Sequence, residues 1–427
     1  GNGRLYRAVT YMLIAGAIAR VVAIAASNPH FVDFYCFLDA TGALLRGVDP
    51  HVLANLRYTT WNEAPLVFPG LTFFFIPLAV IGPAIGQFIY FIANVSAGIA
   101  FYGAVICASG LCTRYSPRNP DLQTVLATLG GFLFVNSIFF TLCIRVGQVS
   151  LFVALLLVLA VNAAREWQRT VSFGLAAVVK YSTVPVLGLQ LFIVRRKFRF
   201  CAMSFVLFAV ISLYPALLGH NLIDLYHSYF ACMQRWIAPG AANHFANSGQ
   251  TMLSSGLLKA VPSVAVNVLV LGLFLAAGLY KRNRLSPRMG LYEWFAIACV
   301  TMTLEYHRTY DGVLVYPFLL LAACSMYRDR QWGHAAILGA FALFFALPGA
   351  FVDRAALLLG KLVGDNPVVY LPAGQFPLLS GVLLALTLYA LFLYAFCHSG
   401  VKFGTLAEDH EREPAVRSAG QSHLNRQ

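Results

Sequence analysis

The chain has 427 residues, of which 59% are hydrophobic and only 11% are charged, with a mean hydropathy of +0.72. This composition excludes a water-soluble globular protein and indicates an all-α, polytopic membrane protein. The net charge of +13 does not indicate nucleic-acid binding, because the basic residues are confined to short gaps between apolar runs.

Apolar runs broken by charged gaps predict about 10–12 transmembrane helices. Several runs are shorter than the roughly 20 residues that a straight span needs. The first run is too long for a signal peptide and lacks a small-residue cleavage pattern, so we expect a span there. The runs cover residues 7–26, 84–111, 125–142, 151–164, 200–218, 264–280, 292–304, 312–326, 335–349 and 378–396.

The basic clusters set the expected topology, because positive charge is concentrated in cytoplasmic loops. The loops between them, residues 28–65, 145–148, 220–250, 306–311 and 353–376, are then extracytoplasmic. We expect one transmembrane domain over residues 1–398 and a cytoplasmic, disordered tail over 399–427. The clusters are Arg4/Arg7, Arg114/Arg118, Arg165/Arg169, Arg195-Arg196-Lys197-Arg199, Lys281/Arg282/Arg284/Arg288 and Arg328/Arg330.

Two apolar segments conflict with this topology if each is counted as a full crossing. Residues 171–194 have basic residues on both flanks, so we predict a re-entrant hairpin of two short helices turning at residues 180–185. Lys180 at that depth would need an anionic partner. Residues 66–83, rich in proline, are predicted to form an interfacial or re-entrant helix against the outer face.

Polar residues that are hard to explain structurally collect in the predicted outer loops. Asp33 lies among aromatic residues at the edge of the membrane, where a charge rarely occurs without a use. A site for a lipid-linked sugar needs cations for phosphate, a base for the acceptor hydroxyl, and amides or carboxylates for sugar hydroxyls. The nine cysteines show no paired spacing, so we expect no metal site.

The sequence resembles glycosyltransferase family 87, within the membrane-embedded C superfamily that uses polyprenyl-phosphate sugars. The resemblance runs over about residues 10–330. It rests on Asp33-Phe34-Tyr35 with Leu45-Arg46-Gly47-Val48-Asp49-Pro50, on Gly147-Gln148-Val149-Ser150, on Gly174 through Lys180 to Pro185 with Arg195-Arg196-Lys197, and on the 247–250 loop. One departure is His307-Arg308-Thr309-Tyr310-Asp311, where the family would have paired histidines.

The resemblance implies a first-loop aspartate as the catalytic base, here Asp33, and inversion at the anomeric carbon without a metal or other cofactor. It also implies a polyprenyl-phosphate-linked donor and a glycolipid or glycan acceptor, with mannosyltransferases among the family members. We expect an enzyme in the inner or plasma membrane, surrounded by lipid and acting on its extracytoplasmic side. Candidate phosphate-binding residues are Lys180, Arg145 and Arg308, and candidate sugar- or acceptor-binding residues are Gln148, Asn247, Gln250, His307, Asp311 and Arg57.

Other interpretations stay open at the level of sequence. Asp33 would also suit a helix cap, Lys180 a hairpin contact, and residues 307–311 a hydrogen-bonded loop. A transporter or flippase for a lipid-linked sugar would also use a broken helix and a buried lysine. The same fold would equally suit transfer of a pentofuranose or an amino sugar.

Overall fold

The computed structural model describes residues 2–27, 31–59, 64–109, 120–237, 263–286, 288–304, 309–346, 377–398 and 401–403. Within these ranges the chain is almost entirely helical, which confirms the predicted all-α class. The α-helices are α1 (Asn2–Ala26), α2 (Val32–Leu45), α3 (Ile76–Ile81), α4 (Pro83–Ala108), α5 (Leu122–Asn136), α6 (Ile138–Val146), α7 (Ser150–Asn162), α8 (Glu166–Val179), α9 (Pro185–Leu189), α10 (Phe198–Ser212), α11 (Leu222–Ile237), α12 (Ser263–Lys281), α13 (Leu291–Thr303), α14 (Tyr316–Arg328), α15 (Trp332–Ala346) and α16 (Pro377–Phe396).

Shorter elements connect these helices. A π-helical turn, Gln190–Val194, follows α9, and two-residue strands β1 (Met289–Gly290) and β2 (Lys402–Phe403) pair antiparallel. Strand β2 thus falls at the start of the predicted tail, and residues 404–427 lie outside the described residues. The 3-10 helices are Leu53–Asn55, Pro69–Phe75, Tyr181–Thr183, Tyr214–Leu218, Arg282–Arg284 and Thr309–Leu314.

The helices identify a polytopic membrane protein. Among the described residues, four helices have the length and apolar composition to cross a membrane, and the bent pair α5–α6 would make a fifth. Six further apolar helices have 10–17 residues. In each long helix, at most 28% of the 18-residue apolar stretch is buried inside the protein, which leaves a wide apolar surface for lipid. The long helices are Gly3–Ala26, Pro83–Ala108, Phe198–Leu218 and Ala265–Arg284.

The helices run back and forth between two ends of the molecule. One, the carboxylate end, comprises the start of α2 and the turns at residues 147–149, 180–184 and 309–314. The other, the basic end, comprises the turns at residues 163–165, 195–197 and 282–290, where Lys281 Nζ donates to the Cys397 carbonyl at 2.8 Å. Helix α7 has 13 residues and joins the two ends, so it separates them by roughly 20 Å.

The proline-rich segment after residue 64 does not cross the molecule. It forms the 3-10 helix Pro69–Phe75 followed by the six-residue α3, each with a proline in its first turn, where the missing N–H is tolerated. Tyr35 of α2 donates to Gln87 near the start of α4 at 2.8 Å. Since α2 and the start of α4 meet, the segment between them returns to the carboxylate end.

The predicted hairpin at residues 171–194 is also present, with one change in its length. Helix α8 begins at Glu166 and has 14 residues, so the first arm is longer than predicted. The turn falls where the sequence placed it, at Lys180 and the 3-10 helix after it, and Pro185 starts the second arm. The hairpin therefore presents Lys180 at the carboxylate end.

One expectation was wrong in detail. The run 125–142 is not one helix, because α5 and α6 meet at Ser137 with a bend of 51°. The Ser137 hydroxyl accepts from the Phe140 N–H at 3.2 Å and so caps a new helix. Within the predicted first outer loop, residues 32–45 form α2, and nine of its fourteen residues are buried.

Candidate functional site

The site is built on the start of α2. The Phe31 N–H donates to the Arg145 carbonyl at 3.1 Å, and Phe31 has a left-handed backbone with φ of 43°. This reversal begins α2 at Val32 and puts Asp33 in its first turn, half-buried. A carboxylate interacts favourably with the N-terminal end of the helix dipole. The local fold therefore places the Asp33 carboxylate at the N-terminal end of α2.

Gly147 lets the α6–α7 turn approach α2 closely. Its φ is +73°, which L side chains rarely adopt, and a Cβ here would lie 2.9 Å from the Phe34 Cβ and 3.0 Å from Phe31 Cδ1. From α4, the Tyr90 hydroxyl donates to the Gly147 carbonyl at 3.1 Å, and the Asn94 amide donates to the Gln148 carbonyl at 2.8 Å. The turn is thus fixed from two sides.

Gln148 connects this turn to Asp33. Its Nε2 donates to Asp33 Oδ2 at 2.8 Å, while its Oε1 accepts from the Val149 N–H at 3.1 Å. The second bond fixes the orientation of the amide group, so that its nitrogen points to Asp33 and its oxygen to the backbone. Because Gln148 is buried, this arrangement holds one carboxylate oxygen of Asp33 in a defined position.

A buried ion pair contacts Ser150, two residues after Gln148. Lys180 Nζ is 2.5 Å from Asp311 Oδ1 and 3.4 Å from the Ser150 hydroxyl, which itself donates to Asp311. The Asp311 side chain is 1% exposed, whereas that of Lys180 is 16% exposed. The anionic partner that the sequence required for Lys180 is therefore Asp311, and the ammonium group keeps some access to solvent or ligand.

These two contacts form one constellation, because Gln148 and Ser150 belong to the same turn and helix start. Asp33 is bonded to this segment through Gln148, and the pair of Lys180 and Asp311 is bonded to it through Ser150. The elements that converge here are α2, the α6–α7 turn, the α8–α9 turn and the 3-10 helix Thr309–Leu314. A carboxylate, which can accept a proton, and an ammonium group, which can bind an anion, are thus brought to one end of the molecule.

The remaining predicted residues are distributed differently. The Arg145 side chain is exposed, and its carbonyl accepts from Phe31, so it borders the site. Arg57 is exposed in the segment after α2. Asn247, Gln250, His307 and Arg308 lie outside the described residues.

Two other polar residues of the first loop have structural partners. Asp39 is buried and accepts from the backbone N–H groups of Arg57, Tyr58 and Thr59 at 2.9, 2.8 and 2.6 Å, and from the Thr59 hydroxyl at 2.7 Å. His51 is buried beside the Tyr229 ring, and burial lowers its pKa to about 4. Both anchor the chain between α2 and the segment at residue 64.

Sequence reasoning missed Tyr90 and Asn94 and did not give Ser150 a role. Asn94 offered a signal, since an amide in the middle of a 26-residue apolar helix needs a partner. Ser150 offered none, because a serine at a helix start is common. Among the described residues, no group of three or more His, Cys, Asp or Glu side chains is arranged to hold a metal ion.

Comparisons with known proteins add one finding. Residues 69–304, more than half of the chain, match the family model of glycosyltransferase family 87. Gln148, Ser150 and Lys180 lie inside the matched range, and Asp33 and Asp311 lie outside it. No curated protein and no solved structure matches the chain significantly.

Proposed function

The chain belongs to glycosyltransferase family 87, and from this premise we propose that it transfers a hexose, mannose as first choice, from a polyprenyl-phosphate carrier. The acceptor is a glycolipid or glycan outside the cytoplasm, and the reaction inverts the anomeric carbon. A glycosyltransferase embedded in lipid suits a donor whose carrier is itself a membrane lipid. The proposed reaction needs no metal ion, because a cation of the protein, Lys180, faces the leaving phosphate.

The observation that supports the proposal is the constellation around residues 148–150. Asp33 Oδ2 is held at 2.8 Å by Gln148, and Ser150 contacts the ion pair of Lys180 and Asp311. A base and a cation close to one turn are what an inverting transfer from a sugar phosphate requires.

The chemical step uses these groups in sequence. Asp33 removes the proton from the acceptor hydroxyl as its oxygen attacks the anomeric carbon from the face opposite the carrier. The bond between that carbon and the phosphate oxygen breaks, and its electron pair leaves with the carrier phosphate. Lys180, held by Asp311 and Ser150, stabilises the extra negative charge on this phosphate, and Arg145 and Arg308 are further cations for it.

Sugar recognition is assigned to the amides and the remaining polar side chains. Gln148 both orients Asp33 and borders the sugar, and Asn247, Gln250, His307 and Arg57 contribute further hydrogen bonds. Asp311 is assigned to positioning Lys180. The extracytoplasmic side is inferred from charge, because the constellation lies at the end opposite the basic turns, which the positive-inside rule assigns to the cytoplasm.

The proposal is tested by comparing cells with and without this protein. Mass analysis of their glycolipids and glycans should reveal a species that lacks one hexose when the protein is absent. Purified protein should then restore that mass difference from synthetic polyprenyl-phosphate mannose but not from a nucleotide sugar. A missing pentose or amino sugar would refute the hexose assignment, and use of the nucleotide sugar alone would refute the donor class.

A further inference from the structure

A separate cavity lies at the basic end, far from the constellation described above. Its volume is about 270 Å³, and it lies between the end of α7, the start of α8 and the turn into α10. This exceeds by far the ~30 Å³ share of one water molecule and falls just below the ~300 Å³ at which pockets for small molecules begin. The cavity therefore has the size for a compact polar group.

The lining of this cavity is strongly cationic. Four of its side chains, Arg169, Arg196, Lys197 and Arg199, are basic, and Glu166 is the acidic one. Like charges around one cavity repel each other, and the repulsion is relieved when an anion enters. The lining therefore predicts an anionic occupant.

Arg169 gives independent evidence for a ligand. The residue is 5% exposed, its Nε has no hydrogen-bond partner in the described part of the chain, and one terminal nitrogen makes a long bond of 3.4 Å to the Ala164 carbonyl. A buried guanidinium normally has its donors satisfied, because an unmet charged donor is costly. An anion in the cavity would supply the missing acceptor.

The turn at residues 195–199 directs its basic side chains to two different places. Arg195 is bound to Glu293 by two hydrogen bonds of 2.7 and 2.5 Å and is not part of the cavity wall. Arg196 has a left-handed backbone with φ of 53°, which is unusual for a residue with a side chain. This reversal directs the side chain of Arg195 to Glu293 and that of Arg196 to the cavity.

We propose that this cavity binds a phosphate group through Arg169, Arg196, Lys197 and Arg199. Arginine forks suit phosphate oxygens, and the apolar side chains of Phe198 and Phe200 would border the rest of a lipid. Two sources carry this chemistry, the headgroup of an anionic phospholipid in the cytoplasmic leaflet and soluble phosphate.

The test measures thermal stability of the purified protein in maltoside micelles, which carry no phosphate. One arm adds phosphatidylglycerol to the micelles, and the other adds inorganic phosphate. The variant Arg196→Gln/Arg199→Gln removes two exposed cations of the cavity. The control Arg328→Gln/Arg330→Gln removes two exposed cations at the same end and outside the cavity wall.

We expect phosphatidylglycerol or inorganic phosphate to raise the unfolding temperature of the wild type and the control. The cavity variant should bind the same ligand about tenfold more weakly. Stabilisation by phosphatidylglycerol alone identifies a lipid headgroup, and stabilisation by both identifies the phosphate group itself. No stabilisation by either, or an equal loss in the cavity variant and the control, would overturn the proposal.

Discussion

Replacing Lys180 with methionine separates a structural role of the ion pair from a role in the reaction. The change leaves the Asp311 carboxylate, with 1% side-chain exposure, without the ammonium group that balances its charge. Removing one partner of a buried pair costs about 3–5 kcal/mol. Replacing both residues, as in Lys180→Met/Asp311→Leu, removes both charges and should return stability to within about 1 kcal/mol of the wild type.

Activity should not follow stability in this series. If Lys180 stabilises the leaving phosphate, the double variant should fold and yet transfer sugar about 10²–10³-fold more slowly, as expected for the loss of one electrostatic contact in the transition state. Both quantities are measured on the same purified samples, by thermal unfolding and by transfer from a synthetic donor. A stable double variant with wild-type turnover would refute the role of Lys180.

Three further predictions concern the supports of the site. Gly147→Ala should destabilise the protein by about 2 kcal/mol or more, because it adds left-handed strain and a clash with Phe34; thermal unfolding with unchanged stability would contradict this. Asp39→Asn should cost about 1–3 kcal/mol, because an amide cannot accept from all four donors; it should expose residues 46–59 to limited proteolysis. Burial lowers the pKa of His51 from 6.5 to about 4. The contribution of neutral His51 to the free energy of unfolding is therefore complete above pH 6.5 and is lost as the pH falls towards 4. The free energy of unfolding should be about 2 kcal/mol lower at pH 5 than at pH 7. His51→Phe should abolish that difference, and its persistence would refute the assignment.

The fold was largely predictable where hydropathy and charge agree. The predicted run 84–111 became Pro83–Ala108, because the bilayer fixes span length and charge fixes its ends. The hairpin at Lys180 followed from a conflict between basic flanks and a single crossing. The bend at Ser137 could not be predicted, because a serine cap competes with helix continuation and only the packing around it decides.

The candidate site was predictable as a set of residues but not as a set of pairs. Asp33 and Gln148 are 115 residues apart, and Lys180 and Asp311 are 131 apart. Aromatic context indicated Asp33, and position in the predicted outer loops indicated Gln148 and Asp311. The cost of burying Lys180 predicted that an acid must exist. Which acid it is depends on how α8 and the 309–314 helix pack, and the sequence of neither element contains that information.

The central claim, that Asp33 is the base, is tested most directly by Asp33→Asn. The substitution keeps the size of the side chain and removes its ability to accept a proton, and Asp224→Asn, an exposed acid on α11, is the matched control. With purified proteins and synthetic donor, Asp33→Asn should abolish transfer and retain donor binding, while the control retains both. Wild-type turnover in Asp33→Asn would contradict the mechanism.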